Sequence, residues 1–333
     1  MQKKSIQGLR GLFAIGVLLS HCYFLSKSPV SAAIFDGAFQ KLANVSFFFM
    51  AAGFFFLRSS ATQLPFFGFI KKKLIRIYPL HLLTLLARVV LSPAFGLPLV
   101  LNALLLQTWV PNVEIATSYN TVSWFLSSLL FCYIAGYFLA KIKNRNLLYV
   151  ITGVMLAYKI TLALLFPSAE SGYYWCYLCP LAGFADFMLG ISLAQFLKDR
   201  RLPAVLPLQI VSLVILVASF VLKAHLPENY CRAFLMLPAN TLLLAAFSSE
   251  TKFSEIALGN KVLCFLGDVS FEIYLLHTSI ISIMSMSVFT LIANRFTPFA
   301  NLVLLIGLSI AASLIYQYVI SFIFKKLTKK SNG

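Results

Sequence analysis

The chain has 333 residues, 60% of them hydrophobic and only 11% charged, with a mean hydropathy of +0.88. Ordinary soluble domains carry about 25% charged residues, so this composition excludes a soluble globular domain and indicates an all-α polytopic membrane protein. The formal charge of +17 does not point to nucleic acid, because most Lys and Arg residues fall in short segments between apolar spans, as the positive-inside rule requires.

Ten transmembrane helices are predicted, at approximately 6–26, 38–57, 77–95, 122–141, 147–166, 177–197, 204–225, 232–248, 263–286 and 299–324, forming a single membrane domain over 1–333. The first contains two ionisable residues, Arg10 and His21, eleven positions apart. At 100° per residue they differ by about 20° in azimuth and by roughly 16 Å along the axis, so both lie on one helix face. Such residues are expensive in lipid and normally face a polar cavity. Taken alone, Arg10 also reads as a snorkelling inner-surface residue, and His21 as a structural histidine. Lys3 and Lys4 before the apolar run mimic a signal peptide, and Ser31-Ala32-Ala33 a cleavage site. Arg10 and His21 within the run argue that the segment is kept as the first helix.

Basic residues set the orientation. With the N-terminus inside, the inner segments hold Lys3, Lys4, Arg10, Arg58, Lys71, Lys72, Lys73, Arg76, Lys141, Lys143 and Arg145. They also hold Lys198, Arg200, Arg201, Lys252, Lys261, Lys325, Lys326, Lys329 and Lys330, making 20 of the 27 basic residues. The outer loops carry mostly acids, Asp36, Glu114, Glu170 and Glu228, and both termini are cytoplasmic. Leu97 to Trp109, thirteen residues bounded by Pro98 and Pro111, is short for a crossing and would reverse every later loop. It is expected to be a re-entrant or in-plane outer helix leading into a lid-like loop, 111–123.

Several polar residues fall in or beside later spans. Lys73 and Arg76 lie one helical turn apart at the approach to the third span, where they are either stop-anchors or a grip for phosphates. Pro79 begins or kinks that helix, and His81 reads as structural. Asp186, mid-span in GFADFMLG, requires an interior setting and a partner. Asp268 and Glu272 are i,i+4 neighbours, whereas Glu272 and His277 are about 140° apart on the ninth helix. His277 is suited either to orienting a substrate or to plain interhelical hydrogen bonding. His225 and Arg232 look interfacial, and Trp109, Trp124 and Trp175 fit an outer aromatic belt. The six cysteines show no metal spacing; Cys176-x-x-Cys179 lacks a redox fold around it, and one outer disulfide among Cys176, Cys179 and Cys231 stays open.

With these residues in hand, the chain resembles membrane acyltransferase family 3, whose hallmark is an Arg and a His with ten residues between them. Arg10 and His21 in GLRGLFAIGVLLSH match it. FFFMAAGFF, KKKLIRIYPLHLL, LLLQTWVP, SWFLSSLLFCY, the FMLG run and LGDVSFEIYLLH follow in the family's order, so the resemblance covers essentially the whole chain. It implies a ten-helix enzyme that takes an acyl group, usually acetyl, from cytoplasmic acyl-CoA. The recipient is a hydroxyl of an extracytoplasmic glycan or lipid-linked sugar. Two departures stand out: the family's Arg-x-x-Arg reads Lys73-x-x-Arg76, losing one bidentate fork, and the acidic pair after W-x-L-S is replaced by Leu129 and Leu130 after Ser127 and Ser128.

The first helix suits that chemistry. Arg10, Lys73 and Arg76 would hold the phosphates of acyl-CoA, a co-substrate rather than a resident cofactor. The pantetheine arm would run along the Arg10–His21 stripe, and His21 would act as general base or be transiently acylated. Asp186, Glu272, His277 and Trp124 are candidates for orienting the imidazole or the acceptor. No metal and no nucleic-acid partner are expected, and the location is a plasma or inner membrane. A glycan transporter or flippase, and a non-catalytic subunit of a surface-polymer assembly, are the competing readings.

Overall fold

The computed structural model describes residues 3–200, 202–286 and 296–331. Arg201 and the side chains of Lys329 and Lys330, expected among the inner basic residues, lie outside what it describes. Every regular element among the described residues is helical. The principal helices are α1 (Lys4–Ser20), α2 (Val45–Phe56), α3 (Phe66–Leu91), α4 (Trp124–Leu139) and α5 (Arg145–Leu165). They continue with α6 (Pro180–Leu197), α7 (Val205–Leu222), α8 (Met236–Ala246), α9 (Lys261–Asp268), α10 (Ser270–Met284) and α11 (Pro298–Ser331).

Seven helical segments among the described residues are long and apolar enough to cross a membrane: Pro29–Phe56, Phe66–Leu91, Thr121–Leu139, Arg145–Leu165, Tyr174–Leu197, Val205–Leu222 and Pro298–Ile323. The α9–α10 pair makes an eighth if its 67° bend lies within one span. Two expected spans fall short by helix length. α1 has 17 residues, about 25 Å, and stops at Ser20; a 3₁₀ turn, Cys22–Leu25, extends it by about 8 Å. The stop is local chemistry: Ser20 Oγ donates to Val17 O at 2.7 Å, and the His21 amide bonds Leu18 O in a tighter, 3₁₀-type turn. Likewise α8 has 11 residues and is preceded by a π-helical turn, Cys231–Leu235.

Other boundaries moved for similar reasons. α3 starts at Phe66, so the cationic run from Lys71 to Arg76 is helical, and Pro79 sits inside that helix instead of beginning it. The stretch from Leu97 contains a helix of only seven residues, Leu97–Ala103, about 10 Å long, too short to cross. The Asn102 side chain closes the chain after it, donating to Pro98 O at 3.0 Å and to Ser118 Oγ at 2.7 Å.

The chain divides into two compact units, one of residues up to Gln7 with Asn44–Asn260, the other of Gly8–Ala43 with the chain from Lys261 onward. In the first, α2 and α6 cross at two glycines. A Cβ on Gly53 would lie 1.9 Å from Phe187 O, and one on Gly190 would lie 2.0 Å from Met50 O, so only glycine allows this approach. Phe49, Phe54, Phe56 and Phe187 are buried around the crossing. Asn44 and Asn240 exchange two side-chain hydrogen bonds, 2.7 and 3.1 Å, which tie the start of α2 to α8. In the second unit α1 also meets α9 through a glycine, though less tightly: a Cβ on Gly11 would lie 2.7 Å from both Gly267 N and Leu263 O. That contact seats the start of α10 beside α1.

Candidate functional site

The Gly11–Gly267 approach brings the Arg10 guanidinium to Ser270, whose hydroxyl accepts from Arg10 Nη2 at 3.3 Å and donates to Gly267 O at 2.7 Å. Two helical turns further along α10 is His277, fully buried. His277 Nε2 lies 3.3 Å from His21 Nδ1, with the two ring centroids 5.1 Å apart. Arg10 and His21 therefore both face α10, at either end of a stretch of about 10 Å. His21 itself stands just past the end of α1, on a residue with φ −100° and ψ 8°, and is partly exposed. The face of α1 between the two is filled by Phe13, Ala14 and Val17, all buried, so the straight passage expected along that stripe is closed by side chains.

The contacts of the two rings assign their protons. His277 Nδ1 lies 2.9 Å from Ile273 O, a pure acceptor, so Nδ1 carries the N–H and Nε2 keeps a lone pair. His21 Nδ1 lies 2.9 Å from Val17 O, so it too carries its N–H, shared between that carbonyl and the lone pair of His277. His21 Nε2 is then an unprotonated nitrogen on a partly exposed ring. A neutral imidazole fixed in one tautomer is the usual form of a general base.

Sequence reasoning offered Asp186 or Glu272 as the group that orients this imidazole. The candidate whose ring nitrogen meets His21 is His277. Both oxygens of Asp186 instead accept from Lys159 Nζ, at 2.7 and 2.8 Å, with each side chain 3% exposed. The interior setting and partner expected for Asp186 are found. The partner went unnamed, although a single Lys in the apolar run YVITGVMLAYKITLALL was the signal for it. Glu272 lies buried in the first turn of α10, where a carboxylate is favoured by the helix dipole. The expected i,i+4 relation of Asp268 and Glu272 does not form, because the helix breaks at Val269 between them.

The other candidates belong to the first unit. Lys73 Nζ stands over the Tyr133 ring at 4.3 Å and near Phe69 and Phe56 at 5.4 and 5.9 Å, a cation–π setting; Arg76, one turn on, is exposed. His81 is buried with Nε2 donating to Asn102 O at 2.8 Å, a structural role as expected. Trp124 does not join an aromatic belt: it is 5% exposed and packs on Tyr177 at 4.6 Å, whereas Trp109 and Trp175 are 47% and 44% exposed. Arg232, read as interfacial, is held by its neighbours. It bonds Glu228 and Asn229, and its guanidinium lies 4.4 Å over Tyr173 and 5.2 Å over Tyr177. Among the described residues none of the six cysteines forms a disulfide.

A family model described as "Acyltransferase domain" (Acyl_transf_3) matches residues 3–318. "Acyltransferase MdmB" of Streptomyces mycarofaciens is 29% identical over 312 residues, covering 83% of this chain and 78% of the relative. No solved structure matches the chain.

Proposed function

The chain belongs to the acyltransferase family 3, whose domain covers nearly all of it, and we propose that it transfers an acyl group, acetyl foremost, from cytoplasmic acyl-CoA to a hydroxyl of an extracytoplasmic glycan or lipid-linked sugar. The observation that carries this reading is the His21 imidazole, held at Nδ1 by Val17 and His277 with Nε2 left as the base. Arg10 on the same helix face supplies a fixed cation, and Lys73 and Arg76 supply two more from α3. CoA is strongly anionic, and Arg or Lys donors recognise its phosphates while the thin pantetheine arm enters the protein.

The transfer balances as follows. His21 Nε2 takes the proton of the acceptor hydroxyl as its oxygen bonds the thioester carbonyl carbon. The C–S bond then breaks, and the CoA sulfur leaves with the proton returned from the imidazolium. His277 is a positioning residue in this scheme: its lone pair holds the His21 proton on Nδ1. Because Phe13, Ala14 and Val17 fill the face between Arg10 and His21, the arm reaches the imidazole only when those side chains yield or by a route beside them.

The membrane arrangement proposed with it has ten crossings: the eight segments above, α1 with its 3₁₀ extension, and the helical run from Glu228 through α8. The basic segments then lie on the cytoplasmic side of a plasma or inner membrane, with both termini there.

The test is mass spectrometry of surface glycans from cells carrying the wild-type gene, the His21→Ala gene or none. The wild type alone is expected to show the acyl mass increment. An increment that persists with His21→Ala, or that never depends on the gene, contradicts the proposal.

A further inference from the structure

In the second unit one backbone carbonyl at the end of α1 sets how His21 stands. A carbonyl oxygen has two lone pairs. At Val17 both go to side chains: the Ser20 hydroxyl donates at 2.7 Å and His21 Nδ1 at 2.9 Å. In a continued α-helix the His21 amide would bond Val17 O; here it bonds Leu18 O instead, at 3.1 Å. A serine bonded back to a helix carbonyl does not by itself stop a helix. Ser212 donates to Gln209 O at the same three-residue spacing, 2.8 Å, and α7 runs on to Leu222. Ser309 and Ser313 bond back in α11, which also continues. What differs at Ser20 is the second side chain on the same oxygen.

A hydroxyl has one proton, and Ser20 spends it on Val17 O, so its oxygen meets His21 Nδ1, 3.4 Å away, with lone pairs only. The Nδ1–H then has three uncharged acceptors around it: Val17 O at 2.9 Å, His277 Nε2 at 3.3 Å and Ser20 Oγ at 3.4 Å. Moving the proton to Nε2 would set a bare Nδ1 against three lone pairs. We infer that Ser20 is a positioning residue: its hydroxyl keeps Val17 O from the returning His21 amide and turns a lone pair to His21 Nδ1, so that the ring stays protonated there and bare at Nε2. Without that hydroxyl Val17 O regains a lone pair, the amide can return to it, and the backbone of His21 leaves its φ of −100° and ψ of 8° for the helix. The importance of Ser20 for turnover rests on the acyl-transfer reading above; its hold on the ring does not.

The test compares the wild-type full chain with Ser20→Ala, Ser20→Cys and Ser20→Thr. Nitrogen NMR in bilayers reads the His21 tautomer, and a melting curve checks folding. Acetyl-CoA consumption is measured in membranes of the expressing cells, which carry the native acceptor, against membranes lacking the gene. Ser20→Ala is expected to raise the population of His21 protonated at Nε2 and to lower kcat, each by about 3–10-fold, the worth of one hydrogen bond, with KM for acetyl-CoA unchanged. Ser20→Thr keeps a hydroxyl and is expected to restore both readings. Ser20→Cys, whose thiol is a weak donor and acceptor, is expected to follow alanine and decides the matter if the alanine variant does not fold. A role in packing alone would move the melting midpoint and leave the tautomer as it is. An unchanged tautomer in the folded variant overturns the role of Ser20, and with wild-type consumption intact it overturns that role alone. A shifted tautomer with no consumption by the wild type supports the role of Ser20 and contradicts acyl transfer.

Discussion

Each of the two units holds a polar pair, and the pairs are built on opposite principles. Lys159 and Asp186 are fully ionic, each side chain 3% exposed, and their charges cancel. His21 and His277 are both neutral imidazoles in the assigned tautomers, and one ring nitrogen of His21 is left over on a partly exposed ring. The first pair can offer hydrogen bonds but cannot give up a proton without stranding a buried charge, which costs several kcal/mol. The second can accept a proton at Nε2 while its other nitrogen stays fixed. Of the two pairs, only the second is suited to proton transfer.

That contrast can be broken by substitution. His21→Ala is expected to have the largest effect, lowering kcat for acyl transfer by about 10²–10⁴ with folding intact, as removal of a general base does; acyl-CoA consumption and a melting curve on the same sample check both. Lys159→Ala should act on the other side of the contrast, costing about 3–5 kcal/mol of stability because Asp186 is left as an unpaired buried charge. Its melting midpoint falls, and a near-wild-type midpoint would mean that the pair is not buried as described. Arg10→Ala is expected to raise the KM for acyl-CoA about 10–100-fold with little change in kcat, the worth of a hydrogen bond to a charged group. An unchanged KM removes Arg10 from phosphate recognition. His277→Ala should have the smallest effect, a loss of roughly 3–10-fold in kcat and not in KM, equivalent to one lost hydrogen bond. A loss in KM instead would place His277 against substrate.

Much of this was legible in the sequence because periodicity and cost in lipid act on single helices. Arg10 and His21 fall on one face by arithmetic, and Asp186 had to have a partner because a lone carboxylate in an apolar span is too expensive. Lys159 carried the same signal, a lone ammonium in an apolar run, and went unread. What the sequence withheld depends on pairing between helices. His21 and His277 are 256 positions apart, and nothing in either stretch names the other. Gly53, Gly190 and Gly11 look like ordinary small residues in apolar runs until each is found against another helix's backbone. Local breaks were hidden as well. The stop at Ser20 and the bend at Val269 interrupt runs whose hydropathy continues unchanged, which shifted the first span and separated Asp268 from Glu272.

The central physical claim is that His21 is held as the tautomer protonated at Nδ1 and bare at Nε2. Nitrogen NMR of the histidine-labelled protein in bilayers reads this directly, with the four histidines assigned by single His→Gln variants. At neutral pH the His21 signals are expected to show an N–H at Nδ1 and an unprotonated Nε2, and the N–H should lose its second acceptor in His277→Gln. A His21 ring protonated at Nε2 would contradict the account, because the nitrogen assigned to take the acceptor's proton would already carry one.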